Sequence, residues 1–176
     1  MARWLWLGAF SFLSIPTLLF YEQYRYNLKE PYFSSPSSIS SDTMAIRSDR
    51  FGKGYFGATR NGGRIHAGID LTMPVGSPVL AAKSGRVFFA GDDAGYGHYI
   101  ELHHPDGLIT RYAHLSEIQV HEGQWVTKGQ GIGLSGRTGN AISPRITPHL
   151  HFEIRYKNHP LNPSQELLDP KIHLQA

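Results

Sequence analysis

Two short stretches, His66-Ala67-Gly68-Ile69-Asp70 and His149-Leu150-His151, carry the residue types that hold a catalytic metal. Side chains alternate along a strand. His149 and His151 therefore share one face while Leu150 and Phe152 take the other, and both imidazoles can enter a single cleft. His66 falls on the turn entering a strand from which Asp70 points inward. Imidazole nitrogen and carboxylate oxygen suit zinc, and two histidines with one aspartate leave a coordination position open for water, as a catalytic site requires. The chain contains no cysteine, which excludes thiolate zinc sites, disulfides and cysteine nucleophiles together.

The elements that must position these residues read as short strands. With 176 residues, 40% of them hydrophobic, the chain can bury one domain core. Strands are expected at Gly68 to Leu71, Pro78 to Ala81, Gly85 to Ala90, His98 to His103, Leu108 to Ala113, Gly131 to Leu134 and His149 to Arg155, with glycine-bearing turns between them. No long helical period interrupts them. The expected fold class is mainly β, a compact antiparallel domain over residues 44–170, with 171–176 as a short tail. A weak echo between VGSPVLAAKSGRV and EGQWVTKGQGIG resembles the hairpins of biotinyl or lipoyl carriers, with Lys83 and Lys128 as modification sites, but that reading leaves the histidines unused.

Ahead of the domain, residues 4–21 carry no charge and approach the minimum length for a membrane-spanning helix. Arg3 precedes the run, and Glu22, Arg25, Lys29 and Glu30 follow it without a clear excess of either sign. This pattern favours residues 1–3 in the cytoplasm and the domain outside. A cleaved signal is the competing reading, yet no small-residue cleavage site follows the apolar run. Residues 22–43 read as a turn or two of continuing helix and then a Ser/Pro-rich tether. The net charge of +3 and pI near 9.2 favour anionic partners. The basic residues are scattered, so no nucleic-acid partner is expected.

The stretch YFGATRNGGRIHAGIDLTMPVGSPVLAAKSGRV, then GYGHYIELHHPDGLITRYAHLSEIQVHEGQWVTKGQGIGLSGRTG, then PHLHFEIR, resembles the LytM-type zinc metallopeptidase domain of the M23, or lysostaphin-like, family over roughly residues 50–165. The resemblance implies a duplicated-hairpin antiparallel fold. It implies one Zn2+ held by His66, Asp70 and His151, flanked by catalytic imidazoles at His114 and His149 whose separate roles the sequence does not assign. It further implies hydrolysis of peptidoglycan cross-links or stem peptides, at the periplasmic or outer face of the inner membrane that residues 4–21 would span. Some relatives with this fold are degenerate at the zinc site and regulate other cell-wall enzymes without turnover; here all five positions are filled. Activity is expected to fall in acid as the ligands and the base become protonated.

His103, His104 and His121 lie outside these five positions, and His98 and Tyr96 belong to a turn bordering the groove. Arg60 and Arg64, near the metal loop, read either as a grip on an anionic substrate group or as solvated loop charge. The link NAISPRITP, residues 140–148, is longer than the family's usual connection and is expected to reshape one groove wall. Residues 31–55 are long enough to reach across the cleft.

Overall fold

The computed structural model describes residues 5–37, 43–164 and 173–175. The chain divides into two compact units, Met1–Pro31 and Tyr32–Ala176. The first is one helix, α1 (Leu5–Lys29), so the helical continuation expected past residue 21 runs on to Lys29. Among the described residues no helix is long and apolar enough to cross a membrane. The apolar run 4–21 lies largely outside that description, which begins at residue 5 for backbone and at residue 17 for side chains.

The second unit is built from strands in the order β1 (Thr43–Ala45), β2 (Ser48–Asp49), β3 (Gly52–Lys53), β4 (Ile69–Thr72), β5 (Pro78–Leu80), β6 (Gly85–Asp93), β7 (Gly97–His103), β8 (Leu108–Ile118), β9 (Trp125–Val126), β10 (Gly131–Ser135), β11 (His149–Tyr156), β12 (His159–Leu161) and β13 (His173–Gln175). Nine of them form one antiparallel sheet in which β11 lies between β8 on one side and β4 and β12 on the other. The long strand β8 also pairs with β7, and its C-terminal end passes onto β10, which in turn pairs with β5. All seven expected strands are present, within a few residues of the expected bounds.

Period-two alternation on β11 makes the site. Leu150, Phe152 and Ile154 are fully buried on one face, where Phe152 meets the ring of Tyr112 at 5.3 Å. The Tyr112 hydroxyl accepts the Ala82 N–H at 2.8 Å and the Thr110 hydroxyl at 3.0 Å, so this buried phenol is satisfied. His149, His151 and Glu153 project from the opposite face, and all three are buried.

The Ser/Pro-rich stretch read as tether is divided by the structure. Residues 32–37 belong to the sheet unit: Ser34 N–H donates to Ala82 O at 2.8 Å, Leu80 N–H donates to Pro36 O at 2.9 Å, and Phe33 is 1% exposed. The buried Phe33 ring anchors this stretch, and its backbone hydrogen bonds to residues 80 and 82 add to that hold against the cost of ordering it. Residues 173–175, read as tail, pair in parallel with β1. Phe33 packs edge-on to His104 at 5.6 Å, beneath the ammonium of Lys83. Phe33→Ala is expected to lower unfolding free energy by about 3–5 kcal/mol, as for other buried phenylalanines. Denaturant titration checks it; a change near zero would mean that the stretch only rests on the surface.

Candidate metal centre and cleft

His66 Nε2, Asp70 Oδ1 and His151 Nδ1 form a triangle with edges of 3.0, 3.0 and 2.9 Å. Three donors bound at about 2.0–2.2 Å to one zinc span a triangle close to this size, so the set fits a single ion. Register explains the convergence. β4 and β11 run antiparallel with Asp70 directly opposite His151, and the turn before β4 adds His66.

Each imidazole is held through one nitrogen by an acceptor outside the triangle, which turns the other nitrogen of His66 and His151 onto Asp70 and that of His114 and His149 toward the cleft. His66 Nδ1 donates to Tyr55 O at 2.7 Å, and His151 Nε2 donates to Glu153 Oε1 at 2.9 Å. His149 Nδ1 donates to Thr147 O at 2.7 Å, and His114 Nδ1 donates to Thr138 O at 2.9 Å. An N–H committed to a carbonyl or carboxylate fixes the ring's orientation, so the remaining nitrogens of His114 and His149 are proton acceptors for a reaction, and those of His66 and His151 become metal donors once any proton there is released.

His114 lies 5.1 Å from the ring of His149 and 5.9 Å from that of His151. It sits in β8 with φ of 63°, a left-handed conformation that costs energy in a residue with a Cβ and recurs at functional sites. The kink turns its ring out of the pleat toward the cleft. A close contact nearby places the acceptor for its ring. Gly97 and Gly139 lie backbone to backbone, so a Cβ on Gly97 would fall 2.3 Å from Thr138 Oγ1 and one on Gly139 2.3 Å from Gly97 N. That approach presses Thr138 against β7 and presents its carbonyl to His114.

Electrostatics separates the imidazoles. Burial pushes His114 down to about 3, with His151 and His149 adding to the effect, and burial also lowers His149. Burial works against protonating His151 too, but Asp70 and Glu153 on either side of its ring outweigh it and raise the group to about 9. Burial alone would raise Asp70, yet hydrogen bonds from His151 and His66 hold it well below the usual carboxylate range. Glu153 is likewise pulled down, to about 2, by His151, Tyr96 and Arg155 against the penalty of burial.

These groups line a cleft of about 530 Å³. Asn140, Ala141 and Ile146 of the long link form part of one wall, as expected of residues 140–148, and Arg47 and Phe51 of the 31–55 stretch also line it. Arg60 and Arg64 stand at the rim. His103 pairs with Glu101, His104 bonds Ser84 O and Thr110, His121 caps its own turn and His98 pairs with Asp92, so none of them joins the triangle. Lys83 is buried against Asp106, which leaves it unsuited to the carrier-type modification considered from the sequence.

The model of Peptidase family M23 matches residues 64–163, which include the whole triangle, His114 and His149. The chain belongs to peptidase family M23. This M23 domain has the family's mainly β antiparallel fold. It is similar to a zinc-containing peptidase from Vibrio cholerae with a TM-score of 0.59 and 31% identity, covering 76% of this chain and 41% of that one. In sequence it is 43% identical over 98 residues to the peptidoglycan DD-endopeptidase ShyA of Vibrio cholerae, across 55% of this chain and 22% of the relative. It is also 38% identical over 141 residues to the murein hydrolase activator NlpD of Salmonella typhimurium, across 78% of this chain and 35% of the relative. The chain thus spans only about a fifth to a third of the length of these curated relatives.

Glu153, Arg111 and Arg47 contribute to this M23 site and were missed in the sequence, and Tyr96 was placed only at the groove border. Glu153 was legible, since it follows His149 and His151 at the same period of two. Tyr96, read from the sequence as part of a turn bordering the groove, donates its hydroxyl to Glu153 Oε1 at 2.8 Å, and Arg111 donates to that hydroxyl at 3.2 Å while pairing with Glu101 at 2.6 Å. Arg47 reaches Asp70 Oδ2 at 3.1 Å from a segment 23 residues away, with no local pattern to announce it.

Proposed function

We propose that this protein is a zinc metallo-endopeptidase that hydrolyses peptide bonds of peptidoglycan, in cross-links or stem peptides. The observation that carries the reading is the set of four imidazoles, each fixed through one nitrogen, of which His66 and His151 give their other nitrogen to the three-donor triangle while His114 and His149 flank it in an open cleft. Bound by His66, Asp70 and His151, zinc supplies Lewis acidity to a water and to the scissile carbonyl. His114 and His149, both held neutral by burial, flank that position. With Nδ1–H committed to a carbonyl, a neutral imidazole there accepts the water proton at Nε2, and only the imidazolium so formed has an N–H to donate toward the developing oxyanion. Glu153 fixes His151 from behind, and Tyr96 and Arg155 fix Glu153.

ShyA supports this reading by its name, as does the zinc-containing peptidase by its fold. The likeness to NlpD favours a second one, binding and activation of another hydrolase without turnover. Zinc-loaded protein incubated with purified cross-linked muropeptides and followed by mass spectrometry decides between them. Zinc-dependent cleavage, absent after chelation, supports the peptidase and identifies the bond; binding without cleavage at full zinc occupancy supports the activator.

The outer partner of His151 gives a separate test. Glu153→Gln is expected to weaken zinc binding roughly 10- to 100-fold, the scale set by groups that orient a metal-ligating histidine. Competition with a chromophoric chelator measures this, and unchanged affinity would remove Glu153 from that role. We further propose that the apolar run 4–21 anchors the domain at the inner membrane with its cleft facing the cell wall. Fractionation with alkaline extraction tests the anchor, and release of the full chain into the soluble fraction would refute it.

A further inference from the structure

Asp70 divides its two oxygens. Oδ1 belongs to the metal triangle, while Oδ2 receives two guanidinium groups, Arg47 at 3.1 Å and Arg60 at 2.6 Å. The two arginines differ in what else they touch. Arg47 is 4% exposed, and its Nη1 bonds both oxygens of Asp49 at 2.9 Å, so it carries its own counter-charge. Arg60 is more open to the cleft, and among the described residues Asp70 is its one carboxylate partner.

Once a divalent ion draws on the single charge of Asp70, Arg47 stays balanced and Arg60 does not. The cleft then holds a guanidinium without an anion, beside the reacting position. Its seat is shaped for it: Arg60 Nη1 lies where a Cβ on Gly52 would come within 2.5 Å, so the head rests against bare backbone at a residue with φ of 144°. The turn from Arg60 to Arg64, closed by Arg60 N–H donating to Arg64 O at 2.8 Å, sets a second cation on the same rim.

We infer that Arg60 is a substrate-carboxylate clamp, gripping the free α-carboxylate of the residue on the amine side of the scissile bond. A guanidinium fork binds a carboxylate through two parallel hydrogen bonds. The chemistry selects the side. Where the acyl-side residue is α-linked, its α-carboxyl is the scissile carbonyl itself, so across such a bond only the amine-side residue can bring a free α-carboxylate this close to the metal. The preferred substrate therefore carries an unblocked α-carboxylate on that amine-side residue, whether in a cross-link or at a stem-peptide end. This inference rests on the peptidase reading and specifies its substrate.

The test uses the zinc-loaded full chain and one stem pentapeptide ending in D-Ala-D-Ala, as free acid and as C-terminal amide. Turnover is read in the wild-type chain, and binding by calorimetry in a His114→Ala background where the peptides survive. The acid is expected to bind roughly 10- to 100-fold more tightly than the amide, the scale of a hydrogen-bonded charged pair. Arg60→Ala should erase that preference and leave amide binding unchanged, while Arg60→Lys should keep part of it. Equal weakening of both peptides, lower zinc affinity with the preference intact, or a preference lost only in Arg64→Ala would each overturn the assignment. Selective binding without cleavage of either peptide would uphold the clamp and count against the peptidase alone.

Discussion

Asp70→Asn is expected to leave the domain folded but without zinc, and its turnover should fall by more than the roughly 10- to 100-fold that loss of an outer partner costs. Oδ1 of Asp70 stands within 3.0 Å of both ligand imidazoles, so the change strikes the centre of the triangle. The fold survives because Arg47 keeps Asp49 and Arg60 reaches solvent at the cleft rim. Metal analysis, turnover and near-ultraviolet circular dichroism on one preparation check the three parts. One zinc per chain with normal turnover would take Asp70 out of the site.

The same carboxylate gives the metal-free protein a defined pH response. Asp70 and Glu153 raise His151 from 6.5 to about 9. Its protonated form therefore stabilises the metal-free fold fully below about pH 6.5, and that contribution is lost as pH rises through 9. A proton on Nδ1 and a zinc ion compete for one place, so zinc binding must release a proton and weaken as pH falls below 9.

Changing His114 to Ala should lower kcat by roughly 100- to 10,000-fold, the range of a general acid or base, with zinc content unaltered. His114 is outside the triangle, so its loss spares the ligands. Because burial holds its pKa to about 3, His114 is already neutral throughout the range from pH 5 to 8. The acid fall in activity foreseen from the sequence, for ligands and base together, then belongs to the ligands. Raising total zinc should move the acid limb of the pH–rate profile to lower pH. A limb that stays fixed at every zinc concentration would instead report the base and contradict the low value for His114.

What the sequence made legible follows from distance along the chain. The alternation of His149 and His151 is local, so their shared face and the strand carrying them could be read directly, and Glu153 obeys the same rule. Asp70 and His66 lie within one turn-and-strand unit and were equally accessible. Arg47 was not, because its meeting with Asp70 depends on the path of β1 to β3, which carries too few apolar residues to show a period. Phe33 misled for a related reason. Serine and proline around it describe a solvated strand, whereas its burial depends on a hollow formed by His104 and Lys83, some seventy and fifty residues on. The kink at His114 has no sequence mark, and the acceptor that holds its ring, Thr138 O, is placed by the close Gly97 and Gly139 approach across the fold.

His66 and His151 are 85 positions apart, and the chain has no cysteine with which to tie such distant segments. An ion held between them is a cross-link borrowed from the surroundings, spanning much of the domain. The unfolded chain has no comparable grip, so free metal at a hundredfold excess over its dissociation constant adds about 2.7 kcal/mol to the folded state. Durability of this domain outside a cell would then follow local zinc supply: a chelating environment would shorten its life by easing it open to proteases, well before any loss of its covalent integrity.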